Sequence, residues 1–301
     1  MKKTYIMNEA IIKCSNLTHY YGKRKIYEDL SFEVPKGRIL GLLGKNGTGK
    51  TTTINILMGY LKPKSGTCHI FNEEIQHISP ETRSRIALLL EGHVQYSFMN
   101  IEQIEKYYSA FYPKWNRNAY YELMKKLKVA PKQRISNMSC GQRSQVALGL
   151  ILAQGADLLV LDDFSLGLDP GYRRLFTEYL QEYAKSESKT IFLTSHIIQD
   201  MERLVDDCII MDYGKIILQK PVKELLNTLH KYTFNHEGNI ENFEDERLFH
   251  IENIGNRAET YSFLDYEEVK ALLEKRKIGY SDIKREQLSL EDAFIGLTGK
   301  Y

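Results

Sequence analysis

The stretch RILGLLGKNGTGKTTTINILMG, residues 38–59, decides the fold. Ile39 to Leu43 is an apolar run of strand length that leads straight into Gly44-x-x-x-x-Gly49-Lys50-Thr51, and a helix-compatible segment follows at once. Glycines at 44, 47 and 49 let the backbone curl so that successive N–H groups converge on phosphate oxygens. The positive end of the following helix adds to that attraction. Lys50 is then placed to reach the β and γ phosphates, and the Thr51 hydroxyl to bind Mg²⁺. A Gly-rich turn between strand and helix can be purely structural, but Lys-Thr at this spacing favours phosphate binding.

A second apolar run, Leu158 to Leu161, ends on two adjacent carboxylates, Asp162 and Asp163. Unbroken apolar residues of this length suit a strand buried on both faces of a parallel sheet. Two buried negative charges need compensation. In phosphate-loop ATPases a carboxylate at the end of a neighbouring strand holds Mg²⁺ through water, which gives Asp162 a partner in the metal and the lysine. The bland alternative is a carboxylate capping the next helix. A third buried-strand pattern, KTIFLTSH at 189–196, ends on His196, which at a strand's carboxyl edge is within range of the γ phosphate or the attacking water.

The remaining composition sets bounds. In 301 residues, 43% hydrophobic and 27% charged, the chain is an ordinary globular protein with room for a main domain and an appendage. A net charge of +2 gives no nucleic-acid signature. Residues 221–301 carry 11 Lys and Arg against 16 Asp and Glu, while 1–220 carry 30 against 23, and a domain boundary near Pro221 fits that shift. Cys14, Cys68, Cys140 and Cys208 show no paired spacing of a zinc or redox site, so a reducing cytosol is the simplest setting. The N-terminus lacks the apolar stretch of a signal peptide, and no run reaches the ~18 residues of a membrane helix, so any membrane span is expected on another polypeptide.

Between the carboxylates and the phosphate loop lies ISNMSCGQRSQVALGLILAQGADLLVLDD, in which Ser139 is a good N-cap for a helix with Val146, Leu150 and Ala153 on its apolar face. The MSCGQ string, 23 residues before Asp162, resembles the LSGGQ signature of ABC ATPases. With Gly44 to Thr52, the GLDP loop at 167–170 and His196 in the same order, the resemblance covers nearly all of residues 11–218. It implies a nucleotide site formed by Tyr21, which in the family stacks on adenine although an aromatic there also suits a core, together with Gly44, Lys45, Asn46, Gly47, Thr48, Gly49, Lys50, Thr51 and Thr52. It implies a metal set of Thr51, Asp162 and Glu91, with Gln95 the alternative to Glu91, where the family usually has Gln. It implies catalytic roles for Lys50, His196 and Asp163, at whose position the family usually has Glu. It further implies that Ser139, Cys140, Gly141 and Gln142 face the nucleotide of a second subunit, with Asp169 in the loop linking the two sites. Cys140 stands where the family has its first signature glycine.

The expected architecture is an α/β P-loop NTPase of the ABC ATPase type with a helical subdomain and a small C-terminal α+β appendage. Residues 1–10 form a tail, 11–220 the ATPase domain with its helical subdomain at about 92–150, and 221–301 the accessory domain. The aromatic-rich 107–127 reads as the core of that subdomain, or in part as a groove for a permease's coupling helix. Beyond Pro221, strands in KYTFN, RLFHIEN and ETYSFL and helices at 266–277 and in LSLEDAFIGLTG are expected, the last string resembling the tail of bacterial drug- and antibiotic-export ATPases. The resemblance implies ATP and Mg²⁺ as cofactors. It implies a separately encoded permease as partner, a homodimer or a heterodimer with a second ATPase, no nucleic acid, and a place on the cytoplasmic face of the membrane. A non-transport ABC ATPase and a slow nucleotide-dependent switch are the rival readings.

Overall fold

A computed structural model describes residues 9–90, 96–126, 128–165, 168–237 and 245–299. The chain divides into two compact units, Met1–Gln219 and Lys220–Tyr301.

The first unit is built on two sheets. One has the order β2-β1-β4-β5, from β1 (Ala10–Tyr21), β2 (Arg24–Pro35), β4 (Ser65–Ile70) and β5 (Glu73–Glu74). The other is six-stranded, in the order β10-β9-β3-β8-β7-β6, from β3 (Ile39–Gly44), β6 (Ile86–Leu89), β7 (Leu158–Leu161), β8 (Thr190–Thr194), β9 (Asp207–Asp212) and β10 (Lys215–Pro221). The pairs β3–β8, β3–β9, β7–β8 and β6–β7 are parallel, as continuous apolar runs predict. Every residue of β7 and of β8 is buried. The antiparallel sheet shows the alternation of a strand with one covered face, burying Leu30, Phe32 and Val34 of β2. Phe32 stacks on Phe192 of β8 with ring centroids 5.8 Å apart, so both sheets share one core. Cys14 and Cys68, 54 residues apart in sequence, are paired across β1 and β4 with their sulfurs 2.8 Å apart, both free thiols. Their proximity is a product of strand register and leaves no trace in spacing.

Helix α1 (Lys50–Leu57) leaves the end of β3, and α2 (Pro80–Ser84) precedes β6. Helices α3 (Ile101–Ser109), α4 (Arg117–Lys126) and α5 (Cys140–Ala153) pack on one another. The aromatic segment is part core and part surface. Tyr120 is fully buried, whereas Tyr107 and Phe111 stand exposed on α3 and its end, joined edge-on to Tyr96 and so to Phe98. What holds the helices is partly polar. Glu105, 1% exposed, accepts from Trp115 Nε1 at 2.9 Å and from Tyr121 OH at 3.4 Å, and pairs with Arg117 at 3.3 Å. Glu105→Ala strands the indole N–H and is expected to cost about 1–3 kcal/mol, read as a lower denaturation midpoint. An unchanged midpoint would show that the network contributes nothing.

Helices α6 (Pro170–Glu187) and α7 (Ile198–Leu204) complete the first unit.

The second unit is a four-stranded sheet of order β12-β13-β11-β14, from β11 (His230–Glu237), β12 (Leu248–Ile254), β13 (Arg257–Ser262) and β14 (Gly279–Glu286), with α8 (Val222–Thr228), α9 (Tyr266–Lys275) and α10 (Leu290–Thr298). Its own core joins Tyr232, Phe234 and Ala258 of the sheet to Val269 and Leu273 of α9. The helix expected to reach 277 stops at Lys275, and Lys277 takes a left-handed φ of 57°.

Candidate nucleotide site

The phosphate loop owes its curl to glycine. Gly49 caps α1 at φ 106°, and a Cβ there would lie 2.8 Å from Ile26 Cγ2, so no other residue fits without displacing β2. The turn aims the first N–H groups of α1 into a cleft of about 300 Å³. Gly47, Asn46, Gly49, Lys50, Thr51 and Thr52 line it from the loop, Tyr21 and Arg24 from the antiparallel sheet, and Asp162, Asp163, Thr194 and His196 from the ends of β7 and β8. Gly44, Lys45 and Thr48 form the loop's frame, the Thr48 hydroxyl donating to Lys45 O at 2.8 Å.

Lys50 is 8% exposed, and its Nζ donates to the carbonyls of Gly44 at 2.7 Å and Lys45 at 3.1 Å. Burial pulls its ammonium below the usual lysine range, while the charges of Asp163 and Asp162 push back. Both carboxylates are buried. Asp162 Oδ1 accepts from Thr194 Oγ1 at 2.7 Å and lies 3.5 Å from Thr51 Oγ1. Asp163 Oδ1 accepts the His196 N–H at 3.1 Å. Its Oδ2 is buried and lies 3.0 Å from His196 Nε2, an ion-pair contact without hydrogen-bond geometry. Tyr21 ends β1 half exposed, its ring edge-on to His19 at 4.9 Å.

The residues present suit magnesium. Thr51 and Asp162 offer hard oxygens side by side, and among the described residues no group of three or more His, Cys, Asp or Glu converges as a resident metal cage would require. A magnesium ion bound through one or two protein oxygens and the phosphates needs no such cage. Glu91 and the alternative Gln95 lie outside the described residues, as does Gly167 of the GLDP loop.

The signature string stands apart from this cleft. Ser139 caps α5, its Oγ accepting the Gln142 N–H at 3.2 Å while its own N–H donates to Gln142 Oε1 at 3.1 Å. The Gln142 amide oxygen is thus used inside the chain, and the Ser139 hydroxyl proton stays available to an acceptor. Cys140 is exposed. Gly141 is required for a reason the sequence does not reveal: a Cβ there would stand 2.9 Å from the ring of Tyr172. Asp169 caps α6, accepting the N–H groups of Gly171 at 3.0 Å and Tyr172 at 3.1 Å.

Sequence reading omitted Arg24, Thr194 and Tyr172. Thr194 sits inside the KTIFLTSH pattern, where a hydroxyl next to the strand end is a signal available in principle; Arg24 and Tyr172 carry none.

A phosphate loop beside one strand tipped by two carboxylates and another that ends on Thr194 and His196 defines a nucleotide-binding ATPase. Residues 27–165 match the family model described as ABC transporter. The chain is 32% identical over 225 residues to the bacitracin transport ATP-binding protein BcrA of Bacillus licheniformis, covering 74% of each. It is 28% identical over 303 residues to the Nod factor export ATP-binding protein I of Cupriavidus metallidurans, covering 97% of this chain and 98% of that one. Among solved structures, an ATP-binding subunit of an ABC transporter superposes with a TM-score of 0.65 at 23% identity, over 72% of this chain and 92% of that one. The chain belongs to the ABC transporter family as an ATP-binding, ATP-hydrolysing subunit. Subunits of this family bind nucleotide and work with a membrane permease, and among the described residues no helix is long and apolar enough to cross a membrane.

Proposed function

We propose that this subunit powers an exporter by closing on ATP as a head-to-tail dimer and reopening after hydrolysis. The observation that carries the reading is the meeting of Lys50, Thr51, Asp162, Asp163 and His196 in one cleft, while the capped first turn of α5 carries no acidic residue. Tyr21 stacks on the base, the loop N–H groups and Lys50 hold the triphosphate, and Thr51 and Asp162 hold magnesium, which shields phosphate charge when bound. Asp163 orients the attacking water and accepts its proton, with His196 beside it. Ser139, the backbone around Gly141 and the positive end of α5 bind the γ phosphate held by the second subunit. The two relatives named for bacitracin transport and Nod factor export support the export direction. The exposed aromatics Tyr96, Phe98, Tyr107 and Phe111 are the surface offered to the permease, being apolar rings left uncovered on the helical part of the first unit.

The test is the dimer. In a hydrolysis-impaired background, light scattering is expected to find a monomer without nucleotide and a dimer with Mg-ATP. Ser139→Arg blocks the signature face with bulk and is expected to leave a monomer that still binds ATP. A dimer persisting in Ser139→Arg would rule out the head-to-tail sandwich, and the partner in the cell is a second copy or a related ATPase.

A further inference from the structure

We propose that Thr194 is the positioning residue that fixes the two carboxylates of the nucleotide site relative to each other, an inference that rests on the roles given above to Asp162 and Asp163. Thr194 is the last residue of β8 and 1% exposed. Its Oγ1 donates to Asp162 Oδ1 at 2.7 Å and accepts the Asp163 N–H at 2.9 Å. The polarity is forced, because an N–H only donates and a carboxylate only accepts. One hydroxyl therefore clamps the side chain of one aspartate and the backbone of the next. The parallel register that places Leu161 beside Leu193 brings them together.

The backbone clamp matters because Asp163 takes a φ of 47°, a left-handed conformation that needs support from its surroundings in a non-glycine residue. That turn brings the Asp163 carboxylate back to the His196 N–H at 3.1 Å. Without the Thr194 oxygen the buried Asp163 N–H has lost its acceptor, and the turn is free to relax and carry the carboxylate away from the water it orients. At the same time Asp162 loses a charge-assisted hydrogen bond that holds its Oδ1 near Thr51. Valine matches threonine in shape and removes only the hydroxyl, and serine restores it.

The full chain as Thr194→Val, Thr194→Ala and Thr194→Ser supplies the test, with turnover measured alongside binding of a fluorescent ATP analogue in EDTA and in magnesium. For Thr194→Val and Thr194→Ala, kcat is expected to fall roughly 30-fold with KM within about threefold, since the damage is misplacement of reacting groups and not loss of nucleotide contacts. Binding is expected to stay within about threefold of the parent in EDTA and in magnesium alike, in line with KM. Thr194→Ser is expected to recover kcat. Parental kcat in Thr194→Val or Thr194→Ala overturns the proposal, and so does a Thr194→Ser variant as slow as they are. Lys50→Ala separates this from the underlying reading: if it binds and turns over ATP normally, the nucleotide-site assignment itself fails, whatever Thr194 does.

Discussion

Lys50→Ala is expected to lower ATP turnover roughly 10³-fold, the scale of losing a preorganised charge that faces the transition state, and to weaken ATP binding as well. The cause lies in what surrounds this cation. Asp162 is 2% exposed and Asp163 4%, so two negative charges sit at the back of the cleft where water cannot screen them. A triphosphate entering beside them needs a positive partner, and Lys50 already stands there, held by the carbonyls of Gly44 and Lys45. Those carbonyls are a weak hold for an ammonium whose burial already disfavours its charge. Phosphate oxygens are a better partner, so the ammonium is expected to move to them when ATP arrives, and alanine leaves nothing to move. A coupled phosphate-release assay on the purified variant decides the point, and near-normal turnover would exclude the phosphate-loop assignment.

Asp163→Asn is expected to lower turnover at least about 10²-fold while leaving ATP affinity near the parent's, the contribution of a general base that touches the water and not the nucleotide. Asparagine keeps the shape and can keep the bond from the His196 N–H, but one oxygen becomes an amide nitrogen and the negative charge disappears. Asparagine also removes the 3.0 Å contact between Asp163 Oδ2 and His196 Nε2, so an unchanged denaturation midpoint and ATP affinity beside the lost rate are what assign the loss to chemistry and not folding. Asp163→Glu reads the length of the arm. The parent is expected to turn over slowly because its carboxylate is one methylene short of the family's usual glutamate, and the longer side chain is expected to raise kcat. A fall instead would mean that the bond between Asp163 Oδ1 and the His196 N–H at 3.1 Å, made for the shorter side chain, is what keeps the site in order. Equal turnover in parent and Asp163→Asn would remove Asp163 from the chemistry.

The elements that reach the sequence as local signals were the ones legible there. Strand β3 and the phosphate loop follow from an apolar run, three glycines and a lysine at fixed offsets, and β7 and β8 from unbroken apolar runs. The Ser139 cap follows from one hydroxyl at a helix start, while its reciprocal bonds with Gln142 come from the structure. Strand β14, GYSDIKRE, was not read as a strand, because an edge strand with charges on it lacks the apolar alternation that marks a covered face. Contacts set by register were equally hidden. Cys14 meets Cys68, and Thr194 meets Asp162 and Asp163, only after strands distant in sequence are paired. Glu105 gave no sign of burial, since its three partners come from the turn before α4 and from α4 itself. Gly141 is expected from the resemblance to face a second subunit's nucleotide, and its packing against the ring of Tyr172 within the chain leaves no sign in the sequence.

That ring has a genetic consequence. Tyr172 lies on Gly141 at the start of α5, and its own N–H is held by Asp169, so the signature string and the loop carrying Asp169 are braced to each other. In the head-to-tail dimer proposed above, everything so braced serves the ATP of the other subunit. A lesion at Tyr172 is therefore silent in the subunit that carries it and is expressed in its neighbour. In a cell with one normal and one altered gene copy, the altered chains pair with normal ones and disable a site whose own residues are all intact. A mixed dimer is thus expected to lose the site of the normal chain to a Tyr172 lesion, and the site of the altered chain to loss of Lys50.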